Sequence, residues 1–428
     1  IIVGENIMRM THLFTKTTKD LPANEASKNA QLLIQAGYVY KVMAGVYAYT
    51  PLGLRVLEKI KSIIRFEMNK IGGQELLMSS LQKKDTWEAT GRWDDNLVDI
   101  WFKTALKDGT PIGLGWSHEE PIIEMLKQYI NSYKDLKAPV AVYQFQSKMR
   151  NETRAKSGIM RGREFIMKDM YSCSLNKEQH DVFYQSVIDS YKRIFDKVGI
   201  GKETYVTFAS GGAFTKFSHE FQTICDAGED IIYVNKDHTV AVNEEVLEDS
   251  TLKELNVKRE ELEPTKSAEI GNIFNFGIQK SKDTAFTYTN ENGEKEYVYF
   301  GSYGIGVNRL MGVIVEKFAD EKGIVWPMSV APFDVSLVSI GDANQEAEAL
   351  YNELKANGLD ALYDDREKRP GEKFADSDLL GMPYRVVISP RLLKDNMLEL
   401  TNRKTGETLE AKKEEILQIL KEAKTSIA

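Results

Sequence analysis

Lys148-Met149-Arg150-Asn151-Glu152, followed by Arg161-Gly162-Arg163-Glu164-Phe165-Ile166-Met167-Lys168-Asp169, is the stretch from which the fold can be read. Upstream of Arg150 the pattern has period two, with Tyr143, Phe145 and Met149 on one side and Gln144, Gln146, Lys148 and Arg150 on the other. Such alternation predicts a strand with one apolar and one polar face. Glu164 to Ser172 resumes as a second strand, so the pair reads as an antiparallel hairpin around a loop holding Gly158, Gly162, Arg154, Lys156, Arg161 and Arg163. A side chain on a sheet's polar face is held more rigidly than one on a loop. Arg150 is therefore placed to clamp a carboxylate or phosphate through both arms of its guanidinium, and Glu152 to accept from an amine such as an adenine amino group. Any one of these arginines alone reads as a surface ion pair; the ordered set reads as a binding face.

Further along, Tyr297 to Gly301 reads as a strand, Ser302-Tyr303-Gly304-Ile305-Gly306 as a glycine-rich turn, and Val307 to Phe318 as an apolar helix with Arg309 in its first turn. Glycines let a backbone approach a ligand closely, and a helix start offers free N–H groups to an anion. The spacing is neither Gly-x-Gly-x-x-Gly nor a phosphate loop, so the familiar nucleotide-binding folds are not supported. Ser117-His118-Glu119-Glu120 opens a helix expected to run to Leu136. Ser with Glu three residues later is a capping box, which leaves Glu119 free to bind a cationic amine. Ser218-His219-Glu220-Phe221 is ambiguous, because a lone histidine is more often structural than catalytic.

Working outward, helices are expected over 24–37, with Asn24 as cap, and from Pro51 to Gly72-Gly73. A short buried strand follows from Gln74 to Leu81. Helix 177–198 and strands 204–208 and 230–234 precede a charged segment, 243–267, that reads as a solvated helical connection. Beyond Trp326-Pro327, strands 334–340, 360–363, 384–388 and 396–401 alternate with helices near 343–357, 371–380 and 411–424. This predicts a separate α/β domain with a mostly parallel sheet.

Composition narrows the classes. A chain of 428 residues, 42% hydrophobic and 28% charged, fits two or three globular domains. No apolar run approaches the roughly 20 residues that span a bilayer, so no membrane partner is expected. Residues 1–7 lack the basic and apolar regions of a secretion signal and are expected to be extraneous to the fold. Cys173 and Cys225 are the only cysteines, which excludes a four-cysteine zinc site or a disulfide framework and suits a reducing, cytoplasmic setting. Five histidines show no zinc-site spacing. The net charge of −8 excludes a surface coated in non-specific nucleic-acid contacts, leaving only local basic patches for such a partner.

In this order the segments resemble the three signature motifs of class II aminoacyl-tRNA synthetases, and in detail the bacterial prolyl-tRNA synthetases. Motif 1 runs from Gly45-Val46-Tyr47-Ala48-Tyr49-Thr50-Pro51 to about residue 80, motif 2 over about 140–172 and motif 3 over about 297–318. Gly91-Arg92-Trp93, Ser117 to Glu120, Ser218 to Phe221, Asp364-Asp365-Arg366-Glu367-Lys368-Arg369-Pro370-Gly371-Glu372-Lys373 and Gly381-Met382-Pro383 match further landmarks. The resemblance implies an α+β catalytic domain, residues 8–329, with an antiparallel sheet of six or seven strands flanked by helices. It also implies an α/β anticodon-binding domain, residues 330–428, and a homodimer joined through motif 1.

The implied activity is ATP-dependent activation of L-proline to prolyl adenylate, with Mg²⁺, and transfer to the 3′ end of tRNA(Pro). Carried over by motif, Ser117, Glu119, Arg150 and His219 bind proline, and Arg150 and Arg309 are catalytic. Arg150, Glu152, Arg161, Phe165, Ser302, Gly304 and Arg309 bind ATP. Arg154 faces the tRNA acceptor end, Asp365, Arg366, Arg369 and Lys373 meet the anticodon, and Glu220 is a candidate Mg²⁺ ligand. Ser79 stands where motif 1 usually closes with proline, and Phe214 to Phe217 and Asn272 also depart from the family pattern. The family's editing insertion has no room in 243–267, so clearance of misactivated alanine is expected to depend on a separate editing protein as partner or on selective release of the adenylate. The same motifs serve threonyl-, seryl- and histidyl-tRNA synthetases, and a catalytically silent paralogue binding tRNA or nucleotide is the alternative outside enzymology.

Overall fold

The computed structural model describes residues 8–23, 25–153, 157–210, 217–237 and 240–426. The chain divides into two compact units, one made of residues 43–46 and 61–313, the other of residues up to 42, 47–60 and 314–428. Expectations placed on Asn24, Arg154, Lys156 and 211–216 lie outside the described residues.

The larger unit is built on a nine-stranded sheet. Its strands are β1 (Gly73–Glu75), β2 (Val140–Met149), β3 (Glu164–Ser174), β4 (Thr204–Ser210), β5 (Phe217–Ile224), β6 (Asp230–Asn235), β7 (Ala241–Asn243), β8 (Leu262–Gly277) and β9 (Tyr299–Gly306). They run in the order β7-β6-β8-β9-β3-β2-β1, with β5 pairing β8 and β4. The β1–β2 pair is parallel and the other pairs are antiparallel.

Register sorts the two faces by chemistry. Gln144, Asp169, Gly304, Asn272, Glu220 and Thr207 stand in one row across β2, β3, β9, β8, β5 and β4. The next row, on the opposite face, reads Tyr143, Met170, Tyr303, Ile273 and His219. Helix α2 (Lys177–Lys197) is capped by the Asn176 side chain, which accepts from the Gln179 N–H, and it buries Phe183, Tyr184, Val187, Tyr191, Ile194 and Phe195. Tyr184 and Phe183 meet Tyr303 across that apolar face. Each such side chain contributes about 1.5–3 kcal/mol when fully buried, which fixes the register and leaves the polar row on the other side.

Several expectations are corrected here. The helix opening after Ser117 is α1 (Glu119–Leu126), and a separate 3₁₀ turn, Tyr133–Leu136, replaces its second half. Asp135 accepts from the N–H groups of Asn131 and Ser132 and so starts that new turn. The expected strand 74–81 shrinks to β1, which is partly exposed rather than buried. The expected turn at 302–306 is the end of β9, which leads into α3 (Val307–Phe318); a Cβ added at Gly304 would come into ordinary contact with Met167 Sδ at 3.5 Å. The segment 243–267 is less solvated than its charge suggests. Val242, Leu252 and Leu262 are buried in a small core with Val246, Leu247 and Leu255, and β8 already begins at Leu262.

The other unit carries a five-stranded sheet in the order β11 (Ala361–Asp364), β10 (Val335–Ser339), β12 (Tyr384–Ile388), β13 (Leu398–Asn402), β14 (Thr408–Ala411). The β10–β11 and β10–β12 pairs are parallel, but β12–β13 and β13–β14 are antiparallel, so the mostly parallel sheet is corrected to a mixed one. A parallel return needs a crossover of a dozen residues or more, and the link 389–397, with one short helix Pro390–Lys394, is too brief. Helices α4 (Asn344–Ala356) and α6 (Lys413–Thr425) pack Leu350, Tyr351, Ile416 and Leu420 with Leu337 and Ile388 of the sheet, while α5 (Pro370–Leu380) meets β10 through Ser377 Oγ, 3.1 Å from Ser336 Oγ. N-terminal residues belong to this unit too. The Tyr38 hydroxyl donates to the Leu380 carbonyl at 2.7 Å and accepts from the Trp326 indole at 3.0 Å.

Candidate active site

Above the polar row lies a cavity of about 290 Å³. Period-two alternation brings Phe165, Met167, Asp169 and Tyr171 of β3 into it, with Ser302, Gly304 and Gly306 of β9 and Asn272 and Phe274 of β8. Ser117 and the charged side chains of Glu119, Arg150, Glu152, Arg161, Glu269 and Arg309 also line it. Of the residues expected for the small substrate and nucleotide, His219 alone is absent from it. Its Nδ1 lies 2.8 Å from the Tyr184 hydroxyl, on the helix-covered face. If Glu220 shares a row with Asn272, its neighbour must point the other way, so the expected place of His219 in the pocket is corrected.

Glu119 is held at one end of the cavity. Its Oε2 accepts from Ser117 Oγ at 2.6 Å and from Arg92 at 3.3 Å, and its Oε1 accepts from Ser302 Oγ at 3.1 Å. The Ser117 hydroxyl thus serves Glu119 rather than a capping box, and His118 takes the N-cap position. Arg92 lies over the adjacent rings of Trp87 and Trp116, 5.1 and 4.6 Å from their centroids, and also pairs with Glu120 at 2.9 Å. Lys280 reaches the same Glu120 at 3.0 Å. Burial pushes the Glu119 carboxyl up, but Arg92 and Ser117 outweigh it, and the group is held below the usual carboxylate range. It is an anion buried to 2% exposure yet still facing the cavity.

Arg150 faces it differently. Its Nε donates to the Trp116 carbonyl at 3.3 Å, its guanidinium stands 5.4 Å from the Phe165 ring centre, and no other hydrogen bond from it is formed among the described residues. Burial and the neighbouring Arg309 depress its pKa from the ordinary value, without bringing it near neutrality for an arginine. Arg161 bonds Glu229 at 2.6 Å and Glu152 at 3.0 Å, and Arg309 donates to the carbonyls of Met160 and Glu269 at 2.8 and 2.7 Å. One guanidinium is therefore left open beside two that are already oriented.

Residues 102–318 match the family described as "tRNA synthetase class II core domain (G, H, P, S and T)", and residues 334–423 match "Anticodon binding domain". A proline–tRNA ligase of Paracoccus denitrificans is 36% identical over 97% of this chain and 98% of its own, and one of Wolbachia pipientis wMel is 35% identical over 96% and 99%. This chain belongs to the prolyl-tRNA synthetase family. The same fold occurs in the Giardia lamblia prolyl-tRNA synthetase in complex with prolyl-adenylate, with a TM-score of 0.76 at 17% identity over 92% of this chain and 78% of that one. The Cryptosporidium parvum prolyl-tRNA synthetase complexed with L-proline and AMP aligns with a TM-score of 0.73 at 18% identity, covering 93% and 76%.

Beneath the cavity the synthetase carries a buried polar network that its motifs did not announce. Lys148 Nζ lies 2.8 Å from Asp169 Oδ2 and 2.7 Å from His118 Nδ1. Burial, then Lys148, pushes His118 down to about 4, so its ring is neutral at pH 7. With Nδ1 accepting from Lys148, Nε2 carries the proton and donates to the Ser79 carbonyl at 3.1 Å. Period two from Phe165 would have found Met167, Asp169 and Tyr171; nothing in the sequence pairs Arg92 with Glu119 or Lys148 with His118. Gly162 also has a specific role, because a Cβ there would meet the Gly45 carbonyl at 2.8 Å, where Arg163 N–H bonds at 2.7 Å.

Glu220 does not suit a resident Mg²⁺. Its oxygens accept from the amides of Gln222, Asn243 and Asn272, and burial, with Glu269 nearby, pushes its carboxyl up to about 8. Among the described residues no group of three or more His, Cys, Asp or Glu is arranged to hold a metal ion. In the C-terminal unit, Arg366 pairs with Asp364 at 2.6 Å and lies 2.8 Å from Asp376, Lys373 is buried against the carbonyls of Ser339 and Asp364, and Arg369 alone of the expected four is exposed.

Proposed function

We propose that this synthetase activates L-proline with ATP and transfers it to tRNA(Pro), using the cavity between Glu119 and Arg150. The observation that carries the reading is the lining itself: an anchored buried carboxylate and an open guanidinium face one small cavity, matching the amine and the carboxylate of an amino acid. Ser117 and Glu119 receive the proline imino group, and Arg150 receives its carboxylate together with the α-phosphate. Phe165 and Glu152 hold adenine, Ser302 and Gly304 border the nucleotide, and Arg161 and Arg309 meet the outer phosphates. The carboxylate oxygen attacks the α-phosphorus in line. The bond to the β-phosphate oxygen breaks with its electrons leaving in pyrophosphate, and the arginines stabilise the transferring phosphoryl group without reorganising. The tRNA terminal hydroxyl then attacks the prolyl carbonyl and AMP departs. Mg²⁺ enters with the ATP phosphates as part of the substrate, and no step is assigned to a protein-held ion.

Residues 8–329 act as the catalytic domain and 330–428 as the anticodon-binding domain, with Arg154 serving the acceptor end, and Asp365, Arg366 and Arg369 of the turn before α5 and Lys373 of α5 serving the anticodon. A homodimer is supported by the exposed Phe66, Leu77 and Leu81 of the motif 1 region, 59%, 74% and 56% accessible. Two buried cysteine thiols outside any disulfide fit a cytoplasmic setting, and no helix among the described residues is long and apolar enough to cross a membrane. Alanine fits wherever proline fits, and a hydrophobic pocket discriminates by only about 10–200-fold per methylene. With a short connection in place of an editing domain, clearance of alanine depends on a separate protein or on selective release of the adenylate. Arg150, Arg161 and Arg309 all line the cavity, which disfavours a silent paralogue. Amino-acid-dependent ATP–pyrophosphate exchange across all twenty amino acids tests the reading: proline should give the strongest signal, and a stronger one with threonine, serine or histidine would overturn it.

A further inference from the structure

The segment 8–18 carries no motif, yet it is bound closely around the turn that follows β11. Met10 N–H donates to the Tyr363 carbonyl at 2.9 Å and Tyr363 N–H to the Met8 carbonyl at 3.3 Å, a parallel bridge along the edge of β11. The Arg9 guanidinium lies 5.4 and 5.3 Å from the ring centres of Tyr351 and Tyr363, pairs with Glu348 at 2.5 Å and stands 3.8 Å from Asp365. Thr11 then closes on Asp365, its N–H donating to Oδ1 at 3.0 Å and its Oγ1 to Oδ2 at 2.6 Å. Thr17 Oγ1 donates to Asp376 Oδ1 at 2.6 Å, and Asp376 Oδ2 lies 2.8 Å from Arg366 and 3.5 Å from Lys368. Thr18 N–H, bonded to the Gln35 carbonyl at 2.9 Å, pins the far end.

We propose that Met8–Thr18 is a positioning arm for tRNA recognition: Thr11 fixes Asp365, and Thr17, through Asp376, fixes Arg366 and Lys368, so that the turn 364–369 meets the anticodon loop already ordered. The proposal rests on the reading of residues 330–428 as the anticodon-binding domain. Unstacked bases are read by groups held in place, and long side chains on a free turn would each lose rotamer freedom on binding. The arm removes that cost beforehand. Asp365, with both oxygens engaged by Thr11, acts here as a positioning residue and not as a reader of a base edge.

The test compares Thr11→Val, Thr17→Val and Asp365→Asn, singly and combined, in aminoacylation of tRNA(Pro) and in proline-dependent pyrophosphate exchange. Each threonine variant should raise KM for tRNA about 3- to 10-fold with kcat nearly unchanged, and leave exchange untouched. Thr11→Ser, which keeps the hydroxyl, should restore the wild-type KM. Adding Asp365→Asn to Thr11→Val should cause no further loss. An unchanged KM for tRNA would overturn the arm. So would an Asp365→Asn effect as large beside Thr11→Val as alone, which marks direct base reading, or equal damage to exchange. Failure of the underlying reading looks different: Arg369→Glu would then leave KM for tRNA unchanged, whatever the threonine variants do.

Discussion

Arg150 and Arg366 each follow a strand of their unit closely, and their donors are committed differently. Arg150 makes one long bond to the Trp116 carbonyl and otherwise opens to the cavity. Arg366 closes on Asp364 through two donors at 2.8 and 2.6 Å and meets Asp376 at 2.8 Å. The difference separates two uses of the same side chain: an arginine left unsatisfied inside a cavity awaits a ligand, and an arginine satisfied by its own chain shapes a turn. Arg369, exposed at the N-cap of α5, belongs with the first kind although it sits beside the second.

Substitutions put the contrast at risk, and the largest effect is expected at Arg150. Arg150→Ala should cut proline-dependent exchange by ~10²–10³ while the melting temperature stays put; a variant that melts early with normal exchange would reverse the comparison. Next comes Arg369→Glu, expected to raise KM for tRNA(Pro) by roughly 10-fold or more, as loss of one nucleic-acid contact costs about 1–3 kcal/mol, with exchange intact. Arg366→Ala should act chiefly on the fold, lowering unfolding free energy by about 1–3 kcal/mol, since two carboxylates lose a charged donor. Urea titration of that variant would sink the assignment if it showed wild-type stability.

Glu220 sharpens the contrast from the carboxylate side, because it shares the polar row with Asp169 yet has its oxygens filled by amides. With its pKa raised from 4.5 to about 8, the folded protein keeps a proton that the unfolded chain releases. That contribution is fully present below the unfolded pKa and is lost as pH rises through about 8. Glu220→Gln has no proton to lose, so its melting temperature should rise relative to wild type as pH climbs from 5 to 8. A constant difference across that range would mean the carboxyl titrates as if solvated.

Sequence pattern exposed what strands carry and concealed what distant segments share. Arg150, Phe165 and Ser302 were legible because alternation and glycine spacing act locally. His219 escapes such pattern reading because its motif looks like one block, whereas neighbours on a strand face opposite ways. Lys148 and Lys168, fully buried on opposite faces of the sheet, are charged letters that no hydropathy reading assigns to an interior; His118 and Asp169 account for the first, and Tyr191 with the Tyr303 carbonyl for the second. The partners of Asp365 lie at the other end of the chain, at Arg9 and Thr11, beyond any local period. The C-terminal sheet turned antiparallel for a reason that is local after all, the brevity of the link 389–397.

The bridge from Met8–Met10 to Tyr363 also has a consequence for solubility. β11 is an outermost strand, and without that bridge it would present unpaired N–H and C=O groups to solvent. Bare strand edges template pairing between molecules. A chain trimmed to begin after Met10 would therefore lose its edge guard, and its first symptom should be concentration-dependent clumping through the C-terminal sheet, before any change in chemistry at the cavity.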